Sequence, residues 1–240
     1  MIAAMQAVIL AAGRGTRMNS LTDAVPKPML RVAGKTLLEH KFDALPPDVH
    51  EIILIVGYLA AVIEGAFGSE YKGIPVRYIH QEKLDGTMGA LMLAKSYLNE
   101  RFLVMMGDDL YGADDIERTI AEGDWAMLVE ETKNMAAGGR IVTDESGEVV
   151  AIEEGDHRGK EGLMNTNMFV LDPRVFEYRM IPKAAGSDEY GLPQTVLAAS
   201  KESDIALHAV PARHWLQVTS PEDIEETEKR LKAFEDTATA

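Results

Sequence analysis

The sequence predicts an α/β fold, a mostly parallel twisted sheet covered by helices, and three observations carry that expectation. Short apolar runs alternate with helix-like segments through the first half. Several of those runs stop at a glycine or a polar loop, as buried parallel strands do where they leave the sheet. The second half changes character: Glu145-Ser146-Gly147 separates two strand-like runs, a hairpin signal that adds a small antiparallel layer.

Residues 1–12 are apolar, and 7–10 read as a strand buried on both faces. A signal peptide would want a basic start, yet no basic residue precedes Arg14, and the run is too short to span a bilayer. The expectation is a strand of a cytoplasmic protein. Residues 37–45 read as a helix ended before Pro46 and Pro47. A strand over 52–56 stops at Gly57, a short helix follows over 60–67, and 76–79 form a third strand. Apolar spacing predicts a helix over 90–98. A fourth strand over 102–106 runs into Gly107-Asp108-Asp109, followed by a helix over 114–121 and a strand over 125–129. The hairpin pairs 140–143 with 149–153; further strands are expected over 168–171 and 205–210. A charged helix over 221–234 begins with Ser220 as N-cap and Pro221 in its first turn. Alternation of this kind gives a Rossmann-like sheet whose ligands sit beyond the strands' carboxyl ends. No repeat or low-complexity linker interrupts the chain, so one domain over 1–240 is the simplest reading.

The net charge of −15 sets the chain against nucleic acid and anionic membrane over most of its surface. A polyanionic ligand therefore needs a local basic pocket. Without cysteine, neither a disulfide nor a zinc–thiolate site can form.

One basic pocket is visible in the loop after the first strand, Leu10-Ala11-Ala12-Gly13-Arg14-Gly15-Thr16-Arg17-Met18. Its glycines let backbone N–H groups approach an anion, Arg17 can add charge-assisted bonds, and Lys27 is held between Pro26 and Pro28. Met18 stands where the dinucleotide fingerprint needs a third glycine, and there is no Gly-Lys-Ser/Thr of a P-loop. On these residues alone, a phosphate nest and a plain turn both remain open. After the third strand, Gln81 offers an amide that can donate and accept together, as the imide edge of uracil or thymine requires. Asp108 ends an apolar strand, where a carboxylate can hold a hard cation.

In combination, the Leu10–Met18 loop, Leu21-Thr22 and Pro26-Lys27-Pro28-Met29-Leu30 resemble the signature of the sugar-1-phosphate nucleotidyltransferases, and Gly34-Lys35 with Leu37-Leu38-Glu39-His40 continue the match. Ser20 replaces the family's usual proline. The resemblance implies the nucleotidyltransferase architecture of the GT-A-like class and the formation of a nucleotide sugar from a triphosphate and a sugar 1-phosphate, with release of pyrophosphate. It implies that Leu10, Ala11, Ala12, Gly13, Arg14, Gly15 and Thr16, with Gln81, Gly86 and Thr87, bind the nucleotide, UTP or dTTP before CTP. It further implies that Arg17 holds phosphates, Lys27 contacts the transferring phosphate, and Asp108 ligates Mg2+. Residues 1–131 would mainly serve the nucleotide and 132–240 the acceptor.

The acceptor half matches more loosely. Gly139, Glu154 and Asn165 occupy the family's sugar-contacting positions, with Asn167 in place of a glycine. Gly155 replaces the lysine that binds the sugar phosphate, and Lys160 is an alternative from the neighbouring loop. Gln217 stands where the family has a second metal-binding aspartate. These departures admit two other readings: a cytidylyltransferase for phosphocholine, with Phe169 or Trp215 stacking on the cation, or a nucleotide-binding paralogue without catalysis. The implied partners are a triphosphate and a small phosphorylated acceptor, with no nucleic acid and no membrane; a homo-oligomer is compatible with all of this.

Overall fold

In the computed structural model, which describes residues 5–135 and 137–238, the apolar runs become strands of one ten-stranded sheet. Residues 1–4 of the expected N-terminal run lie outside the described residues. Phe102–Met106, Met5–Ala11, Val49–Val56 and Ile74–His80 lie side by side in that order and run parallel. Ala11 aligns with Val56, Val56 with His80 and Leu10 with Met106, so all four carboxyl ends finish at one edge.

The strands are apolar throughout because both faces are covered. Val8, Ile53 and Val104 join one core cluster, and Ile9, Leu54 and Leu103 join the other. Helices Leu37–Ala44, Ala60–Phe67 and Ala113–Ala121 cover the second cluster, and Thr87–Met92 with Leu192–Ser203 cover the first. Leu37–Ala44 opens with a capping box, Thr36 accepting from the Glu39 N–H while the Glu39 carboxylate accepts from the Thr36 N–H.

The antiparallel part expected of the second half is present and extends the same sheet. Gly162–Leu171 runs antiparallel beside Phe102–Met106, with Phe169 opposite Val104. Ala137–Thr143 and Val149–Asp156 follow it outward. Trp125–Thr132 pairs antiparallel with Gly162–Leu171 and parallel with Leu207–Pro211. Gly162–Leu171 is longer than its sequence suggests because a bulge between Asn165 and Phe169 breaks the alternation.

Two helices differ from expectation. The one expected over 90–98 begins at Thr87, ends at Met92 and is followed by the single 3-10 turn Lys95–Tyr97. Its start is fixed from outside, because the Met88 N–H donates to Tyr190 O and the Thr87 hydroxyl accepts from the Leu192 N–H. Leu192–Ser203 was not expected; its sequence marks are Gly191 before the first turn and Pro193 within it. Among the described residues, no helix is long and apolar enough to cross a membrane.

A third cluster positions the glycine loop. Met18, Leu30, Val32 and Leu37 pack with Leu110, Leu216 and Val218 beneath the helix Pro221–Ala238. Each fully buried side chain of this size contributes roughly 1.5–3 kcal/mol, which fixes a loop that has little regular structure of its own. The strand Leu216–Gln217 is reached through Asp115, fully buried in the first turn of Ala113–Ala121. Its carboxylate accepts from the Arg118 guanidinium and from the backbone N–H groups of Arg213 and His214. Asp115→Ala should lower stability by about 3 kcal/mol, since it strands those donors, with Asp115→Asn milder; urea unfolding followed by circular dichroism measures both.

Candidate functional site

A cavity of about 560 Å³ opens at the edge where the parallel strands end. The first loop lines it with Leu10, Ala11, Ala12, Gly13, Gly15, Arg17 and Lys27. Gln81, Gly86 and Thr87 enter after Ile74–His80, and Asp108 after Phe102–Met106. The second half contributes Gly139, Glu154, Asn165 and Gln217. Arg14 and Thr16 are the expected residues that do not line it. Gly15, at φ +64°, turns the chain; Arg14 lies over the Tyr58 ring at 5.5 Å, and Thr16 is exposed at the start of a 3-10 turn.

Lys27 is buried, and its ammonium donates to Asp108 Oδ2 at 2.7 Å. A buried charge is tolerable only with such a partner. Gly15 leaves the necessary room, since a Cβ there would stand 2.8 Å from the Lys27 Cβ. Asp109 turns away from the cavity and is buried; burial and then the neighbouring Asp108 charge push its carboxyl well up from the usual range. Behind it, Lys41 is fully buried with its ammonium on Leu37 O at 3.2 Å, and burial pushes its pKa down. Gln217 pairs with Asp109 across a short antiparallel ladder and reaches the cavity from there.

Gln81 is buried with its amide donating to Asp85 Oδ1 at 3.1 Å and Gly86 O at 3.4 Å. Those bonds engage the NH2 group and leave the carbonyl oxygen to accept from a ligand. From the second half of the chain, Asn165 Nδ2 donates to Asn167 Oδ1 at 2.9 Å, and Asn165 Oδ1 accepts from the Asn167 N–H at 2.8 Å. Asn167 has φ +57°, a conformation asparagine tolerates better than most residues, so it stands in for a glycine there. Glu154 accepts from Gln194 Nε2 at 2.8 Å.

Lys183, Glu189, Pro193 and Gln194 also line the cavity and were not expected. They lie on and after an irregular segment with neither periodicity nor motif; Pro193 after Gly191 was its one legible mark. Three residues offered as alternatives do not reach the cavity. Lys160 is an exposed turn residue, Phe169 is fully buried in the core, and Trp215 is buried with its edge on a smaller neighbouring pocket. No aromatic side chain among the described residues lines the cavity.

A second group, Asp114, Asp115 and His214, brings three potential metal-ligand atoms within 4.8 Å of one another. None of the three lines the cavity. Asp115 is already saturated by Arg118, Arg213 and His214, and Asp114 accepts from His214 Nδ1 at 3.0 Å, so this group is a structural tie.

A family model described as nucleotidyl transferase matches residues 6–233. A UTP–glucose-1-phosphate uridylyltransferase of Haloferax volcanii, AglF, is 32% identical over 236 residues, covering 95% of this chain and 97% of its own. A D-glycero-α-D-manno-heptose 1-phosphate guanylyltransferase of Campylobacter jejuni is 30% identical over 173 residues, 72% of this chain and 78% of its own. The solved inositol-1-phosphate CTP transferase of T. maritima has the same fold, with a TM-score of 0.74 at 21% identity over 97% of this chain and 98% of its own.

The two loop glycines should separate cleanly in stability. Gly15→Ala places a Cβ in a left-handed conformation against Lys27, and about 1–2 kcal/mol of stability should be lost. Gly13→Ala meets nothing within 4 Å and should stay within about 0.5 kcal/mol of the parent. Denaturant melts of the two variants give the comparison.

Proposed function

Because this chain belongs to the nucleotidyl transferase family, we propose that it transfers a nucleotidyl group from a triphosphate to a sugar 1-phosphate, releasing pyrophosphate and forming a nucleotide sugar. The observation that carries the reading is the contrast between what the two halves of the chain bring to the cavity. The first half brings the glycine loop, Arg17 and the Lys27–Asp108 pair; the second brings Asn165, Asn167, Glu154, Glu189 and Gln194. Carboxylates and amides without an aromatic face suit a polyhydroxylated acceptor and give a quaternary ammonium nothing to stack on. Phosphocholine is thereby disfavoured as the acceptor.

The reaction is an in-line displacement. A phosphate oxygen of the acceptor forms a bond to the α-phosphorus, and the bond from that phosphorus to the bridging oxygen of pyrophosphate breaks. The nucleophile is already ionised at neutral pH, so the protein's task is positioning and charge stabilisation. Lys27, fixed by its flanking prolines and by burial, presents its ammonium at the edge of the sheet where the α-phosphate would lie; Arg17 neutralises the outer phosphates. Asp108 offers a hard oxygen donor beside Lys27, with the Gln217 amide on the same cavity, a set that fits Mg2+ completed by phosphate oxygens and water. Bound there, the cation would offset negative charge on the triphosphate. The free carbonyl of Gln81 accepts from an imide-type N–H, which uracil, thymine and guanine carry and cytosine and adenine lack. UTP and dTTP therefore rank above CTP. Residues 1–131 mainly serve the nucleotide and 132–240 the acceptor, in a cytoplasmic setting that the absence of cysteine suits.

Lys27→Ala should keep the fold and lower pyrophosphate release by roughly 100-fold or more, as read by a coupled pyrophosphate assay; unchanged turnover overturns the proposal. The same assay with UTP, dTTP, GTP, CTP and ATP against glucose 1-phosphate and phosphocholine should favour the imide bases and the sugar phosphate. Nucleotide binding with no turnover on any acceptor would instead identify a non-catalytic paralogue.

A further inference from the structure

We infer that Lys183 is the cation that takes the acceptor's phosphate, exchanging Glu189 for it on binding; the inference rests on the nucleotidyl-transfer reading. Among the described residues, the cations lining the cavity are Arg17, Lys27 and Lys183. The first two belong to the glycine loop and its continuation, and Lys27 is already paired with Asp108. The second half of the chain brings Glu154 and Glu189 to it. A phosphate dianion brought against those carboxylates needs a compensating cation, and Lys183 is the one that half provides.

Its setting is built for exchange. Residues 181–191 fold back on themselves: Pro182 bridges Tyr190, the Lys183 N–H donates to Glu189 O at 2.8 Å, and the Gly191 N–H donates to Ile181 O at 3.0 Å. This sets the Lys183 ammonium 3.6 Å from Glu189 Oε2, with the two side chains 60% and 52% exposed. An ion pair that open contributes roughly 0–1 kcal/mol, so a dianionic phosphate displaces the carboxylate at little cost, and Glu189 is released toward the acceptor's hydroxyls.

The backbone carrying Lys183 is, by contrast, fixed. The Tyr190 N–H donates to Asp85 O at 2.7 Å, the Met88 N–H donates to Tyr190 O at 3.0 Å, and the Ile181 N–H donates to Thr195 Oγ1 at 2.9 Å. Gly86 is held so close to the Tyr190 backbone that it has no room for a Cβ. The acceptor hairpin and the Gln81–Thr87 loop are therefore bonded to each other, and the spacing between base and acceptor phosphate is set by main chain.

Calorimetry on the full chain tests this without turnover, using glucose 1-phosphate and inorganic phosphate as probes. Lys183→Met should weaken both by about tenfold or more, with triphosphate affinity and melting temperature unchanged. Glu189→Gln, which removes the competing carboxylate, should bind inorganic phosphate at least as tightly as the parent. Lys201→Met, a surface lysine bonded to Val150 O, is the control and should change nothing. Glucose 1-phosphate binding equal in Lys183→Met and the parent, or phosphate binding by neither, overturns the inference. Pyrophosphate release by the parent decides the nucleotidyl-transfer reading separately. Normal turnover with an unchanged acceptor KM in Lys183→Met sinks only the role of Lys183; Lys183-dependent phosphate binding without turnover on any acceptor sinks only the reaction.

Discussion

The bond between Lys27 and Asp108 joins two loops that leave neighbouring parallel strands, and the rest of the site is arranged around it. It is a cation buried at the rim of an apolar sheet, which no strand composition would favour by itself. The surroundings make it tolerable. Gly15 clears the space, the cluster of Met18, Leu30 and Val32 holds the loop down, and the helix Leu37–Ala44 packs behind. Lys41 and Asp109 lie deeper in the same region, where burial opposes charge on both. Charge at this edge is thus part of the core's construction and is not an addition to its surface.

What was legible in the sequence follows from this. The parallel strands announce themselves because burial on two faces demands continuous apolar residues, and the first loop because its glycines, prolines and cations have narrow chemical uses. The part of the cavity proposed for the acceptor is less legible because it is built from turns. Asn165 and Asn167 sit on a bulge, and residues 181–191 fold through their own backbone hydrogen bonds, which no periodicity records. Lys183 has no motif around it at all. The helix Leu192–Ser203 was hidden because its apolar residues blend into a stretch without clear punctuation.

The departures from the family pattern also sort themselves physically. Asn167 for glycine is conformational, and the observed φ shows that asparagine satisfies the same backbone requirement. Gln217 for aspartate is chemical: the position still faces the cavity but brings no charge, which leaves Asp108 as the proposed anionic donor. Gly155 for lysine removes a cation from the end of Val149–Asp156, and the cation facing the cavity from that side comes from a different element. Phe169 and Trp215 illustrate the reverse error, since aromatic residues near a site in sequence are more often used to build the core.

The close approach of Gly86 to Tyr190 has a consequence for how such enzymes can be recombined. Loops that read the base and segments that read the acceptor look like separable cassettes, far apart in the chain. Here the segments proposed for those two roles share main-chain hydrogen bonds and a contact too tight for any side chain at position 86. A chimera that imports one cassette alone inherits a mismatched seam, so residues 85–88 and 181–192 form a single unit of exchange.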